Sequence, residues 1–325
     1  MTISTAVSAG GTKAGVILSG AVRDVYSREI LFQAQPSLIT SQFADRKTEL
    51  GREKGDTIKF TKYDDLSGNA RLSEVEPIGT THMSASQVSI EVAEYGFAIS
   101  ESERLILTAW DDVVARATML LGQHYGKTTD AMVQDEFRAA GSLQTIIVGG
   151  GANRAALAAG NTMDVTSIKD AAEILAINKA PKINGTYVCL VHPHQSRGLR
   201  DDDNWLEAHK YTNPAVNDIF MGEIGMVEGV RFVETTFLPV VTRATGVVKR
   251  DRIATAQTEA VANAAIDTYQ SLLFGANAVG WGTALPVEFR DGGIIDFQRT
   301  RALAWYAIQG AGQIRPENVT LVETA

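Results

Sequence analysis

Cysteine is almost missing from this sequence: its 325 residues contain one, Cys189, inside the apolar run "GTYVCLV". One cysteine cannot pair within its own chain, which rules out a disulfide framework and fits a reducing compartment. Basic charge is not in excess. With 30 Lys and Arg against 38 Asp and Glu, the formal net charge is -8. A chain that coats nucleic acid needs clustered Lys and Arg, so wholesale coating is excluded, although DNA can lie nearby. No apolar stretch approaches the ~20 residues needed to span a bilayer. The N-terminus has no basic region followed by a long apolar run, so no secretory signal is read there. The expectation is a soluble chain made and used, or packaged, inside a cell. Catalytic signatures are scarce too. There is no GxSxG, no GKS or GKT and no HExxH, and only five histidines are present.

What remains is an ordinary globular composition, 45% hydrophobic and 21% charged. The length suits one to three domains with a substantial core. Residues 1 to about 50 mix Ser, Thr, Gly and Ala with scattered apolar residues such as Ile30, Leu31, Phe32 and Phe43. They read as a loose arm with a short helix, poor at folding alone. "GDTIKFTKYDDL" and "SQVSIEVAEYGF" then alternate with period two. Ile58, Phe60 and Lys62 oppose Thr57, Lys59, Thr61 and Tyr63, and Val88, Ile90 and Val92 oppose Ser89, Glu91 and Ala93. With about 20 polar residues between them they form a long antiparallel hairpin. An isolated two-stranded ribbon is marginal in water, so it must lie on another surface, of its own subunit or a neighbour's.

Ser100 to Glu103 offers a Ser-x-x-Glu capping box ahead of an apolar run. Ile106, Trp110, Val113, Ala117, Leu120 and His124 follow at helical spacing, and Gly122 and Gly126 weaken the pattern. Unbroken to about residue 137, this predicts a rod of about 50 Å. Beyond it the chain is mixed. "TSIKDAAEILAINKA" reads as a helix capped at Ser167, "GTYVCLV" and "GVRFVETTFLP" as strands, and "NPAVNDIFMG" as a short helix. "TGVVKRDRIATAQTEAVANAAID" reads as a polar, Ala-rich excursion. "DTYQSLLFGANAVGWG", "RTRALAWYAIQGAG" and "ENVTLVET" read as closing strands.

Two segments imitate active sites. His192 and His194 stand two apart at a strand end, so they share a face as paired ligands do, with His209 and Asp201 to Asp203 downstream. A metal-dependent hydrolase would use that pair and an Asp. Pro193 between them instead fits a strand stop, and "PHQSRGLRDD" an amphipathic helix, which makes the segment a junction. "IIVGGGANRAAL" mimics a phosphate-cradling turn, but Arg154 stands where the dinucleotide fingerprint needs its last glycine. No catalytic, cofactor-binding or metal-ligating residue is assigned.

The order of parts, arm, hairpin, long helix and mixed domain, resembles the HK97-type major capsid proteins of tailed phages. "GDTIKFTKYDDL", "VAEYGFAISESE", "YVCLVHPHQSRGLRDD", "NDIFMGEIGMVEGVRFVETTF" and "DTYQSLLFG" resemble its coliphage-N4-like branch in particular. The resemblance implies an α+β capsid fold: N-arm 1–50, E-loop hairpin 51–99, P domain with spine helix 100–159, A domain 160–284, and a return to the P domain over 285–325. It implies a virion shell protein, not an enzyme, that builds hexamers and pentamers around double-stranded DNA without sequence-specific contact. A scaffolding protein acting in trans, a portal and a decoration protein are the implied partners, with no membrane and no cofactor. Ile58, Lys59, Phe60, Lys62, Arg71, Glu74, Glu76, Val88 and Ile90 of the hairpin are the expected inter-subunit contacts, ordered when neighbours bury the apolar ones. An encapsulin-like compartment coat of the same fold is the alternative.

Overall fold

A computed structural model of the chain describes residues 20–48, 57–63, 82–110, 112–151, 154–205, 223–243, 245–251, 253–259, 266–297 and 299–325. The hairpin tip with Arg71, Glu74 and Glu76, the helix expected in "NPAVNDIFMG" and His209 fall outside these residues.

The first half of the chain runs α1 (Gly20–Ala34), β1 (Asp45–Lys47), β2 (Thr57–Tyr63), β3 (Ala85–Glu91), β4 (Ala93–Ser102), α2 (Glu103–Thr108), α3 (Val113–Gly141) and β5 (Thr145–Ile147). It continues with α4 (Val165–Ile177), β6 (Tyr187–Val191), α5 (Pro193–Arg200), β7 (Glu223–Val227), β8 (Val230–Glu234) and β9 (Val240–Val241). Then follow β10 (Val247–Arg250), β11 (Ile253–Thr258), β12 (Thr268–Phe274), β13 (Val279–Ile295), β14 (Thr300–Gln313) and β15 (Val319–Thr324). These fall into two compact units. One comprises Met1–Ser37, Arg46–Thr128 and Gly280–Ile314; the other comprises Leu38–Asp45, Thr129–Val279 and Arg315–Ala325.

The second unit is built on a nine-stranded sheet in which β12 pairs with β6, β9 and β15, and β6 pairs in parallel with β8. All five residues of β6 are buried. Its apolar run is what a strand needs when both faces are covered. Ile168, Ala171 and Leu175 of α4 supply one cover, packed with Cys189, Val191, Phe232 and Leu273. Burying each large side chain of this cluster contributes about 1.5–3 kcal/mol. The α4 cap differs from expectation. Asp164 stands at the N-cap and accepts from the Ser167 backbone N–H at 3.0 Å, so Ser167 lies inside the first turn. The segment expected as an excursion instead forms the bulged antiparallel hairpin β10–β11, and residues 260–265 lie outside the described residues. β15 pairs with β12 over six residues and lies parallel to β5, which commits it to this sheet.

The first unit carries the sheet β1-β13-β14-β4, in which β14 follows β4 from Thr300↔Ser102 to Gln309↔Ala93. Because β4 runs through Ser100, the cap comes two residues later than the capping box suggests. Ser102 Oγ accepts from the Leu105 N–H at 3.3 Å and starts a six-residue α2. A break follows before Asp112 caps α3 through the N–H groups of Val114 and Ala115. The single long rod is thus α2, a break, and a 29-residue α3 of about 43 Å. Its buried face also differs: Ala117, Leu121 and Tyr125 are covered, whereas Trp110 and Leu120 are exposed. Gly122 and Gly126 explain the shift. Both face α1, where an added Cβ would meet Ile30 O at 2.9 Å and Ala34 O at 2.7 Å. The helix propensity lost at these glycines, about 1 kcal/mol each, is offset by the close approach of α1, whose Ile30 and Ala34 are wholly buried. The arm helix therefore packs on its own subunit.

Candidate functional site

The hairpin is the part of the chain that sequence singles out for function, and its inner face has an unexpected seat. β2 and β3 pair antiparallel with Ile58 opposite Ile90 and Phe60 opposite Val88. Ile58, Phe60 and Ile90 are 5%, 4% and 2% exposed and cluster with Ile314, with Val88 and Val92 packed alongside. These side chains are already covered within their own chain, before any neighbour is added. What makes room is a stripe of missing side chains. Gly280 and Gly282 on β13, and Gly310 and Gly312 on β14, face the ribbon. A Cβ at Gly280 would stand 2.7 Å from the Phe60 ring, and one at Gly312 would stand 2.8 Å from Ile90. At Gly282 it would collide with Ile58, and at Gly310 with the Glu91 carbonyl.

This glycine floor is a feature that period and composition alone pass over, because glycine in a strand reads as weakness. A signal was nevertheless there. "VGWG" and "QGAG" each hold two glycines two apart, which on a strand places both on one face. Further contacts pin the ribbon. Lys47 Nζ donates to the Lys59 carbonyl at 2.9 Å and lies 4.7 Å from the Phe60 ring, while Arg46 stacks over Trp281. On the outer side Thr57, Lys59, Thr61 and Tyr63 remain exposed, and Lys62 is half-buried. Among the described residues, neither ribbon edge pairs with another strand.

His192 and His194 do share a face, and Tyr269 fills it. Their rings stand 5.0 and 4.3 Å from the Tyr269 ring, with His194 stacked parallel. His192 is the N-cap of α5. Its Nδ1 accepts from the His194 backbone N–H at 3.2 Å, and Gln195 Oε1 accepts from the His192 backbone N–H, closing a capping box. Burial holds the His192 imidazole below its ordinary pKa, with His194 adding to the effect and Glu234 opposing it. Asp202 accepts from the Val165 N–H at 2.8 Å. The pair is a strand-to-helix junction. Among the described residues no three His, Cys, Asp or Glu side chains converge on one point.

The glycine turn that imitates a phosphate cradle is likewise structural. Gly149 and Gly150 take positive φ, the region glycine enters without steric cost. Arg154 after it pairs with Glu323 of β15 and donates to Glu259 at 2.8 Å, and Gln270 Nε2 donates to both carboxylates. Burial pushes the Cys189 thiol well above its ordinary pKa, so it stays protonated and unreactive.

The fold recurs in phage shells. The capsid of Ralstonia phage GP4 superposes with a TM-score of 0.67 at 17% identity, covering 87% of each chain. The capsid of cyanophage Pam1 gives 0.66 at 14% identity over 100% of this chain and 99% of that one. A virus-like particle from Pyrococcus furiosus gives 0.54 at 10% identity, with 94% and 99% covered. No curated protein matches by sequence. The sequence model of the phage capsid protein family, however, matches residues 31–321, and the α+β architecture follows that fold almost end to end. The chain belongs to the phage capsid protein family.

Proposed function

We propose that this capsid protein is the major subunit of an icosahedral head, assembling as hexamers and pentamers around double-stranded DNA. The observation that carries the reading is the two-faced ribbon. Its inner face is spent on the glycine floor, while among the described residues neither edge pairs with another strand and Thr57, Lys59, Thr61 and Tyr63 of its outer face are exposed. Open edges invite pairing or covering by another chain, and in a shell that chain is a sister copy. Lys59 on the outer side and the half-buried Lys62 on the inner side, with Arg71, Glu74 and Glu76 from the sequence between the two strands, are the proposed inter-subunit contacts. Ile58, Phe60, Val88 and Ile90 serve them indirectly by fixing the ribbon's angle.

A scaffolding protein acting in trans, a portal and a decoration protein are the further proposed partners, and no catalytic activity is assigned. A net charge of -8 suits a container whose genome must enter and leave without sticking. The coliphage-N4-like branch is the proposed subfamily, on the segments quoted above. Negative-stain microscopy of the protein expressed with its scaffold tests the reading: closed shells are expected, and a strictly monomeric protein would overturn it. Similarity to a virus-like particle favours a compartment coat as the second reading. Neighbouring genes for a terminase and a portal separate the two.

A further inference from the structure

We infer that the α2 end of the first unit's sheet is a contact site for a second copy of this chain, one that brings a basic side chain to Glu101. The inference rests on the shell reading above and adds a site to it. Glu101 lies in β4 opposite Arg301 of β14. It is 4% exposed, and its Oε2 has no hydrogen-bond partner. Arg301 is the neighbour that could serve it, but its Nη2 donates to Asp291 Oδ2 at 3.0 Å, and Asp291 is itself almost wholly buried. Asp112 is occupied in capping α3. Burial pushes the Glu101 carboxyl above its usual range, Arg301 pulls it down, and Asp112 pushes it up again. A buried carboxylate without a hydrogen-bonded partner is costly, and a cation from outside would relieve that cost.

The stretch that follows this carboxylate carries exposed apolar side chains. Ser102, the next residue, caps α2, on which Leu105 and Leu107 are 48% and 76% exposed. Trp110, two residues past the end of that roughly 9 Å helix, is fully exposed. The Glu103 backbone N–H donates to the Arg299 carbonyl at 2.7 Å, which brings the β13–β14 turn and its exposed Phe297 to the same end. Exposed aromatic side chains at the same end of a sheet as a desolvated charge are the composition of an interface hot spot. A Lys or Arg suits both halves, since its stem covers apolar surface and its head can sit on an indole face or a carboxylate. The occupant is a second copy because the family assembles from copies of one chain, and because the missing charge is positive. A bound metal ion fits poorly: no triad of ligating side chains converges here among the described residues.

Two variants and one titration test this in the full chain. Glu101→Gln removes a buried charge that no hydrogen bond compensates at Oε2, so the unassembled subunit should melt about 2–4 °C higher. Its shell yield should nevertheless fall about tenfold, the size of a lost hot-spot contact. Trp110→Ser touches a fully exposed side chain, so subunit melting should stay unchanged while shell yield falls. Wild-type yield in both variants overturns the inference and leaves the shell reading intact, whereas absence of wild-type shells overturns the shell reading itself. A lower melting temperature for Glu101→Gln means the carboxylate is already satisfied, and that also overturns the inference. So does millimolar calcium chloride raising the melting temperature of the wild type but not of Glu101→Gln, which would make this a cation site.

Discussion

β6 and β2 are both short strands rich in β-formers, yet they are held in opposite ways. β6 is buried on both faces by bulk: Phe232, Leu273, Leu175 and their neighbours fill the space around it. β2 is buried on one face by vacancy, because Gly280 and Gly282 on β13 withhold the side chains that would otherwise occupy that space, as Gly310 and Gly312 on β14 do beneath its partner β3. The first strand tolerates exchange of one apolar residue for another of similar volume. The second depends on the absence of single carbon atoms. A shell subunit needs both kinds of region: a core that survives alone, and a limb whose angle is set sharply enough to meet a neighbour.

The sharpest way to break this comparison is at the bulk-filled end. Phe232, fully buried and edge-on to Trp205 at 5.3 Å, should cost about 3–5 kcal/mol when cut to Ala, read from the urea midpoint. The next effect is electrical. Asp130 lies buried beneath the Ser41 backbone N–H at 2.9 Å, and burial raises its carboxyl to about 6 against partial opposition from the Ser41 and Thr40 hydrogen bonds. The folded state therefore holds this proton more tightly than the unfolded chain does. Stability should fall as pH rises from about 4 to about 6, by up to about 3 kcal/mol. Asp130→Asn should flatten that slope, raising the melting temperature at pH 7 and leaving it unchanged at pH 4.

At the glycine floor, Gly282→Val should cost about 1–3 kcal/mol, the range for overpacking. Its signature is local: hydrogen exchange should accelerate in β2 and β3 while β6 and β12 stay protected. Combining it with Ile58→Ala should restore part of the protection, because the incoming carbons take the space that Ile58 leaves. Equal acceleration throughout both units would remove the distinction between bulk and vacancy. The smallest effect is expected at the junction, where His192→Ala should cost about 1 kcal/mol through the lost α5 cap. Elemental analysis should show no change in bound zinc or manganese, against the loss a His192/His194 metal site requires.

Much of this architecture is legible in the sequence, and what is not has definite physical causes. Alternation in "TIKFTKY" and "SQVSIE" displays the ribbon because a half-buried strand must repeat every two residues. Alternation says that one face is covered, but not by which chain, so Ile58 and Phe60 could be assigned to a neighbour. Caps fail differently. Ser100 and Ser102 are chemically equal candidates, as are Asp164 and Ser167, and the choice lies with the strand pairing that fixes where the chain turns. The buried face of α3 is hidden from the sequence because Gly122 and Gly126 count against a helix locally, whereas in the fold they are the seat of α1. The missing hydrogen bond at Glu101 Oε2 cannot be read from sequence at all, since the cross-strand neighbour Arg301 comes from β14 and is engaged by Asp291.

On this reading the ribbon rides on its own subunit's glycine floor while its outer side meets a sister copy. Subnanometre cryo-electron microscopy of assembled particles tests it most directly. The expected result is β2 and β3 seated over Gly280, Gly282, Gly310 and Gly312 of the same chain, with Lys59 turned towards an adjacent one. A ribbon lifted off its own floor, or an outer side facing only solvent in the closed shell, would contradict it.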